Sequence, residues 1–127
     1  MAIVLDDLLY TSDHEYVRKG DDQVVTIGIT DFAQGELGDV VFVTLPKVGE
    51  TLTSHQTFGT IEAVKAVADL FAPMAGEVVE VNTALDADPA VVNSDPYGAG
   101  WMIRLKIDPA GLAGLLSADA YRAHIGG

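Results

Sequence analysis

No cysteine occurs in the 127 residues. The polypeptide can therefore form no disulfide and offers no thiolate as a nucleophile or metal ligand, so any dithiol chemistry must come from a cofactor. Basic side chains are scarce too: 7 Lys and Arg stand against 19 Asp and Glu, a formal net charge of −12. Such a surface repels nucleic-acid phosphates and anionic membranes and is drawn to basic patches on protein partners, less strongly as salt rises. No apolar run has the length of a membrane span. The opening Met1–Asp7 has no basic region before its apolar residues and is not rich in Arg or Ser. Neither a secretory signal nor a transit peptide is expected, and the reading is a soluble protein of the bacterial cytoplasm. His14, His55 and His124 lack metal-ligand spacing, so no metal site is expected. A phosphate-cradling glycine loop, a nucleophile elbow and an acid–base carboxylate pair are also missing, so no enzymatic activity of its own is expected.

What is present reads as one folded domain over residues 1–127: hydrophobic residues make up 49% and charged ones 20%. Val25, Ile27 and Ile29 alternate with polar or small neighbours and predict a half-buried strand. Thr30 can cap a helical turn that Gly35 or Gly38 ends. A second strand over 39–45 is expected to put Val41, Val43 and Leu45 on one face. A third, over 77–81, should turn Val79 and Val81 the same way. Thr83–Gly100, rich in Asp, Pro, Asn and Gly, reads as loop. Over 101–107 the alternation of Trp101, Ile103, Leu105 and Ile107 predicts a strand with the indole as a core anchor. Asp108, Pro109, Leu112, Leu115, Leu116 and Ser117 predict C-terminal helices at about 109–125 that cover sheet edges. Residues 41–53 and 70–81 faintly echo each other as strand, Pro/Gly turn and strand.

The stretch Gly59–Gly76 organises the chain. Lys65 is the only Lys or Arg between Lys47 and Arg104, and Val64, Ala66 and Val67 around it are apolar. A lysine inside an apolar run is expected in solvent, most simply at a chain reversal between the β-compatible runs 57–61 and 70–72. The turn chemistry does not mark a reversal, because no Gly, Asn or Pro lies between Glu62 and Ala68. On spacing alone the pattern reads as a solvated surface lysine snorkelling over a strand. Likewise Tyr10–Val17, with Asp13, His14 and Glu15, reads on its own as a surface strand whose charges face water.

Glu62-Ala63-Val64-Lys65-Ala66, followed by Asp69, Pro73 and Gly76–Asn82, resembles the lipoyl-attachment segment of the glycine cleavage system H-protein family, with Ala63 where the family usually has Ser. Three further stretches are similar to that family: Tyr10 with His14-Glu15-Tyr16-Val17, where Tyr16 replaces a tryptophan; Gly28–Gln34 with Leu37–Val43; and Asn93–Gly98 with Gly100–Met102. The resemblance implies a mainly β barrel-sandwich of the lipoyl/biotinyl type, two antiparallel sheets with short peripheral and C-terminal helices, carrying lipoate on Lys65. Glu62 and Asp69 flank the motif, and Glu15, with Asp13, would line a cleft where the loaded arm rests, the carboxylate holding the cationic amine. It further implies a non-catalytic shuttle. The arm would take the aminomethyl group from pyridoxal-phosphate-dependent glycine decarboxylase (P protein) to aminomethyltransferase (T protein), which passes the one-carbon unit to tetrahydrofolate. Electrons would go to dihydrolipoamide dehydrogenase (L protein), which uses FAD and NAD. A lipoate-attaching enzyme is a further implied partner. A lipoyl-relay or H-like carrier of another pathway, and an unmodified β-domain that binds partners, are the alternatives.

Overall fold

A computed structural model describes residues 2–126. Its strands are β1 (Leu9–Tyr10), β2 (Glu15–Lys19), β3 (Val24–Ile29), β4 (Val40–Thr44), β5 (Thr51–Leu52), β6 (Thr57–Ala63), β7 (Val67–Phe71), β8 (Gly76–Val81) and β9 (Ile103–Lys106). They form a six-stranded sheet in the order β1-β2-β3-β9-β8-β5 and a three-stranded sheet in the order β4-β6-β7. All the pairings are antiparallel. Ile27, Val78, Ile103 and Leu105 of the larger sheet share one buried cluster with Val43, Ile61 and Leu70 of the smaller. The faint internal echo has a structural counterpart. Each echoing segment starts in the small sheet (β4 or β7), turns, and enters the large one (β5 or β8), and β5 and β8 then pair.

Helix α1 (Asp31–Leu37) starts where Thr30 Oγ1 accepts a hydrogen bond from the Ala33 amide and ends at Gly38, whose φ of 82° requires glycine or strain. Between β8 and β9 the expected loop contains two single-turn helices, α2 (Ala84–Ala87) and α3 (Val91–Ser94). Its Asn and Asp residues organise this connection rather than merely loosening it. Asn82 Nδ2 donates to the carbonyls of Ala99 and Trp101 at 2.8 and 2.7 Å, and Asp95 Oδ2 accepts from the Ala99 amide at 2.9 Å.

Two β-bulges overturn the expected strand faces. Between Val40 and Phe42 the register of β4 on β6 shifts, so Val40 and Val43 point inward and Val41 is 52% exposed. A shift between Val78 and Glu80 likewise buries Val78 and leaves Val79 outside. In β9, Ile103, Leu105 and Ile107 are buried as expected, but Trp101 is not a core anchor. Met102 is fully buried in the core, and the half-buried indole lies beneath the Arg104 guanidinium, 4.3 Å from its centroid.

The C-terminal segment is less helical than expected. A 3-10 turn spans Pro109–Leu112, Leu116 exchanges backbone hydrogen bonds of 2.9 and 2.7 Å with Tyr10, and α4 (Ala118–His124) follows its Ser117 cap. The Leu116 bridge withdraws those residues from any helix because it satisfies the outer edge of β1. Above it Tyr121 stacks on Tyr10 at 4.6 Å, forming a second buried cluster with Leu8, Tyr16, Tyr97 and Ala118.

Gly59 sits where β6 crosses closest to β4: a Cβ there would run into the Thr44 carbonyl oxygen, a backbone atom that cannot swing aside. Gly59→Ala is expected to lower stability by about 1–3 kcal/mol. Gly35→Ala, on the open face of α1 with nothing within 4 Å, should raise it by roughly 0.5–1 kcal/mol. Urea unfolding of the two variants side by side checks both signs.

Candidate carrier site

Strands β6 and β7 pair as far as Glu62 and Val67, and the Ala63 amide donates to the Ala66 carbonyl at 2.8 Å, so Val64 and Lys65 form the exposed tip of a hairpin. Neither tip residue has a positive φ. The turn is not one of the mirror-image types that demand Gly or Asn, which is why its local chemistry was silent. Its conformation is held from outside: the Val64 amide donates to the Asp39 carbonyl at 3.0 Å. Lys65 reaches across Gly38, where a Cβ would stand 3.1 Å from its Cε. The Gly38 corner is itself fixed by Asn93, whose Nδ2 donates to the Gly38 carbonyl at 2.9 Å and whose Oδ1 accepts from the Val40 amide at 2.8 Å. Among the described residues Lys65 enters no ion pair.

Beside the hairpin lies a cleft of about 360 Å³. One wall is α1, with Phe32, Ala33, Glu36 and Leu37; the opposite wall is β7, with Ala68, Asp69 and Leu70; Asp13, His14 and Glu15 close the end. Leu37, a residue of the cleft wall, immediately precedes the glycine that lies against the Lys65 stem.

Glu15 corrects the reading of 10–17 as a surface strand. Its residue is only 2% exposed, and Tyr16 and Val17 beside it are fully buried. Oε2 accepts from the Phe71 amide at 2.8 Å, while Oε1 is buried without a hydrogen-bond partner among the described residues. Burial pushes the carboxyl from 4.5 up to about 8, the Phe71 amide opposing and Asp13 adding to the rise. Asp13 and Asp69 are exposed at the cleft rim, whereas Glu62 lies outside it, on the open face of β6 between Phe42 and Val67. Glu15, Asp13 and Asp69 thus line one cleft, and Lys65 and Glu62 are not among its lining residues.

The sequence reading missed a second set of residues. His14 adopts φ 68°. Its Nδ1 shares a 2.9 Å hydrogen bond with the Tyr121 hydroxyl, which shares another of 2.7 Å with Thr30 Oγ1, the cap of α1. Its ring also lies 5.0 Å from Phe32 and 5.4 Å from His124, and burial, with His124 second, lowers its pKa. One hydroxyl on α4 thereby ties both the end and a wall of the cleft. No sequence signal announced this, since Tyr121 lies 107 residues from His14.

Apolar walls and one orphaned buried acceptor fit a long alkyl arm that ends in a small, sometimes cationic, group. Among the described residues no three His, Asp or Glu side chains gather as a metal site, and no helix is long and apolar enough to cross a membrane.

Two antiparallel sheets around one core, with a lysine hairpin projecting from the smaller sheet, define the barrel-sandwich class of lipoyl and biotinyl carrier domains. Residues 8–126 match the family model described as Glycine cleavage H-protein. Relatives named Glycine cleavage system H protein include one from Chlorobium limicola, 59% identical over 95% of this chain and 96% of its own. Another, from Mycobacterium tuberculosis, is 49% identical over 96% of both chains. The crystal structure of a glycine cleavage system H protein from Mycobacterium marinum superposes with a TM-score of 0.88 at 44% identity, covering 97% of this chain and 99% of that one. The chain belongs to the glycine cleavage H-protein family, the lipoyl-carrier component of the glycine cleavage system and not itself a catalyst.

Because the folded Glu15 carboxyl titrates near 8 and the unfolded one near 4.5, the unfolded chain loses that proton first. Glu15's contribution to stability is present below pH 4.5 and declines as pH rises to 8, by roughly 3–5 kcal/mol. Glu15→Gln should abolish that component: the difference between wild-type and variant unfolding free energies, taken at each pH, slopes across this window and is flat above it.

Proposed function

We propose that Lys65 is the residue that carries lipoate in amide linkage, and that the cleft ending at Glu15 receives the loaded arm between visits to partner enzymes. The observation that carries this reading is the single cation at an exposed hairpin tip beside a largely apolar cleft whose buried carboxyl oxygen has no hydrogen-bond partner among the described residues. Bound lipoate supplies the dithiolane on which an aminomethyl group and electrons travel.

The chain's own residues position and shield. Gly38 leaves room for the lysine stem, and the Val64–Asp39 hydrogen bond keeps the tip from folding onto the sheet. Phe32, Leu37 and Leu70 exclude water from whatever lies in the cleft, and Glu15 offers Oε1 to a cationic amine at its inner end. Asp13 and Asp69 add negative charge at the rim, where water screens them. In this reading the whole chain is one carrier domain serving glycine decarboxylase, aminomethyltransferase, dihydrolipoamide dehydrogenase and a lipoate-attaching enzyme in the bacterial cytoplasm. A tethered arm raises the local concentration of cargo at each active site in turn.

The test is peptide-mapped mass spectrometry of protein from its own source, with Lys65→Arg beside it. A lipoyl or octanoyl amide at residue 65 is expected in the wild type and none in the variant. The variant should accept no aminomethyl group from glycine decarboxylase, yet unfold within about 0.5 kcal/mol of wild type because the side chain is exposed. A bare Lys65 in cells whose other lipoyl proteins are modified would end the reading.

A further inference from the structure

We propose that Glu15 waits in the cleft as the neutral acid and hands its proton to the cargo amine when the arm docks, so that the ion pair is made inside the cleft instead of being carried into it. This deepens, and rests on, the reading of Lys65 as the arm's anchor.

Geometry is the first ground. Oε2 is engaged by the Phe71 amide, but Oε1 is buried without a hydrogen-bond partner among the described residues, in a cleft whose walls include Ile29, Ile61 and Leu70. A carboxylate with one oxygen in apolar surroundings bears most of its desolvation cost uncompensated, and a carboxylic acid does not.

The charges that face Glu15 are the second ground. Its own segment presents Asp13 and His14, α1 presents Glu36, and β7 presents Asp69; His124 of α4 reaches the cleft only through the His14 ring. No Lys or Arg lines the cleft. His14 does not supply a cation either, because burial and His124 both disfavour its protonation. Burial is the main cause that carries the carboxyl to about 8; Asp13 adds to the rise, while the Phe71 amide and the Thr11 hydroxyl oppose it.

A neutral acid suits both guests of the cleft. An uncharged sulfur ring meets an apolar pocket with no buried charge. An amine at the inner end meets a donor: the O–H bond at Oε1 breaks with its electron pair staying on oxygen, the amine lone pair forms the new N–H bond, and no electrons enter or leave. The resulting carboxylate and ammonium compensate each other in a medium of low dielectric. The lone pair matters chemically. In a sulfur–methylene–amine compound it is the nitrogen lone pair that expels sulfur and opens the way to formaldehyde, so an amine holding Glu15's proton is protected by its charge state as well as by the walls.

Carbon-13 NMR of carboxyl-labelled glutamate tests this on the full chain, in the bare-lysine, lipoylated and aminomethyl-loaded forms. Glu15 should titrate near 8 in the first two forms and remain ionised through that range in the third. The loaded Glu15→Gln protein, whose isosteric side chain preserves the fold, should shed formaldehyde at pH 7 roughly tenfold or more faster than wild type. A Glu15 already ionised at neutral pH in the bare protein, or a Gln variant that retains its cargo as long as wild type with the arm docked, overturns the proposal and leaves the docking reading standing. An arm that shows no nuclear Overhauser contacts to Phe32 or Leu37 in the loaded form overturns both.

Discussion

One hydrogen bond, from the Phe71 amide to Glu15 Oε2, joins the two sheets at the inner end of the cleft. Phe71 ends β7, an edge of the small sheet, and Glu15 opens β2 of the large one. An edge amide buried without an acceptor would be costly, and so would a buried carboxyl with neither oxygen engaged; this pair resolves the first problem and half of the second. The unresolved half is Oε1. The cleft between α1 and β7 has this acceptor's residue at its end.

The lysine obeys the opposite constraint. An ammonium on an apolar hairpin has no buried partner to go to, so the tip must stay in water, and three polar contacts remote in sequence keep it there: Val64 with Asp39, and Asn93 with both Gly38 and Val40. The corner that lies against Lys65 is the same α1–β4 corner whose helix forms a wall of the cleft. The C-terminal helix reinforces it, since the Tyr121 hydroxyl contacts His14 at the end of the cleft and Thr30 at the start of that helix.

Electrostatics divides along the same line. Outside, the formal net charge is −12, a field that repels other acidic surfaces. Inside, burial makes ionisation of Glu15 unfavourable, and Asp13 at the cleft rim adds to that effect.

Residues 24–29, 57–61 and 103–107, the caps Thr30, Asp108 and Ser117, and the exposed Lys65 were legible in the sequence because each depends on neighbours within a few residues: strand alternation, a hydroxyl or carboxylate reaching an amide two or three positions on, a charge that cannot be buried alone. Resemblance across four separate motifs carried the family and pointed to Glu15 and Asp13. What tertiary structure alone decided has partners far along the chain. The bulges that turned Val41 and Val79 outward depend on the strands opposite, Trp101 yielded its core place to Met102, and the segment around Leu116 was claimed by the β1 edge. Glu15 meets Phe71 across 56 positions and His14 meets Tyr121 across 107. Local pattern says which residues prefer water or a strand; it holds no term for a hydrogen bond whose two halves meet only after the sheets have packed.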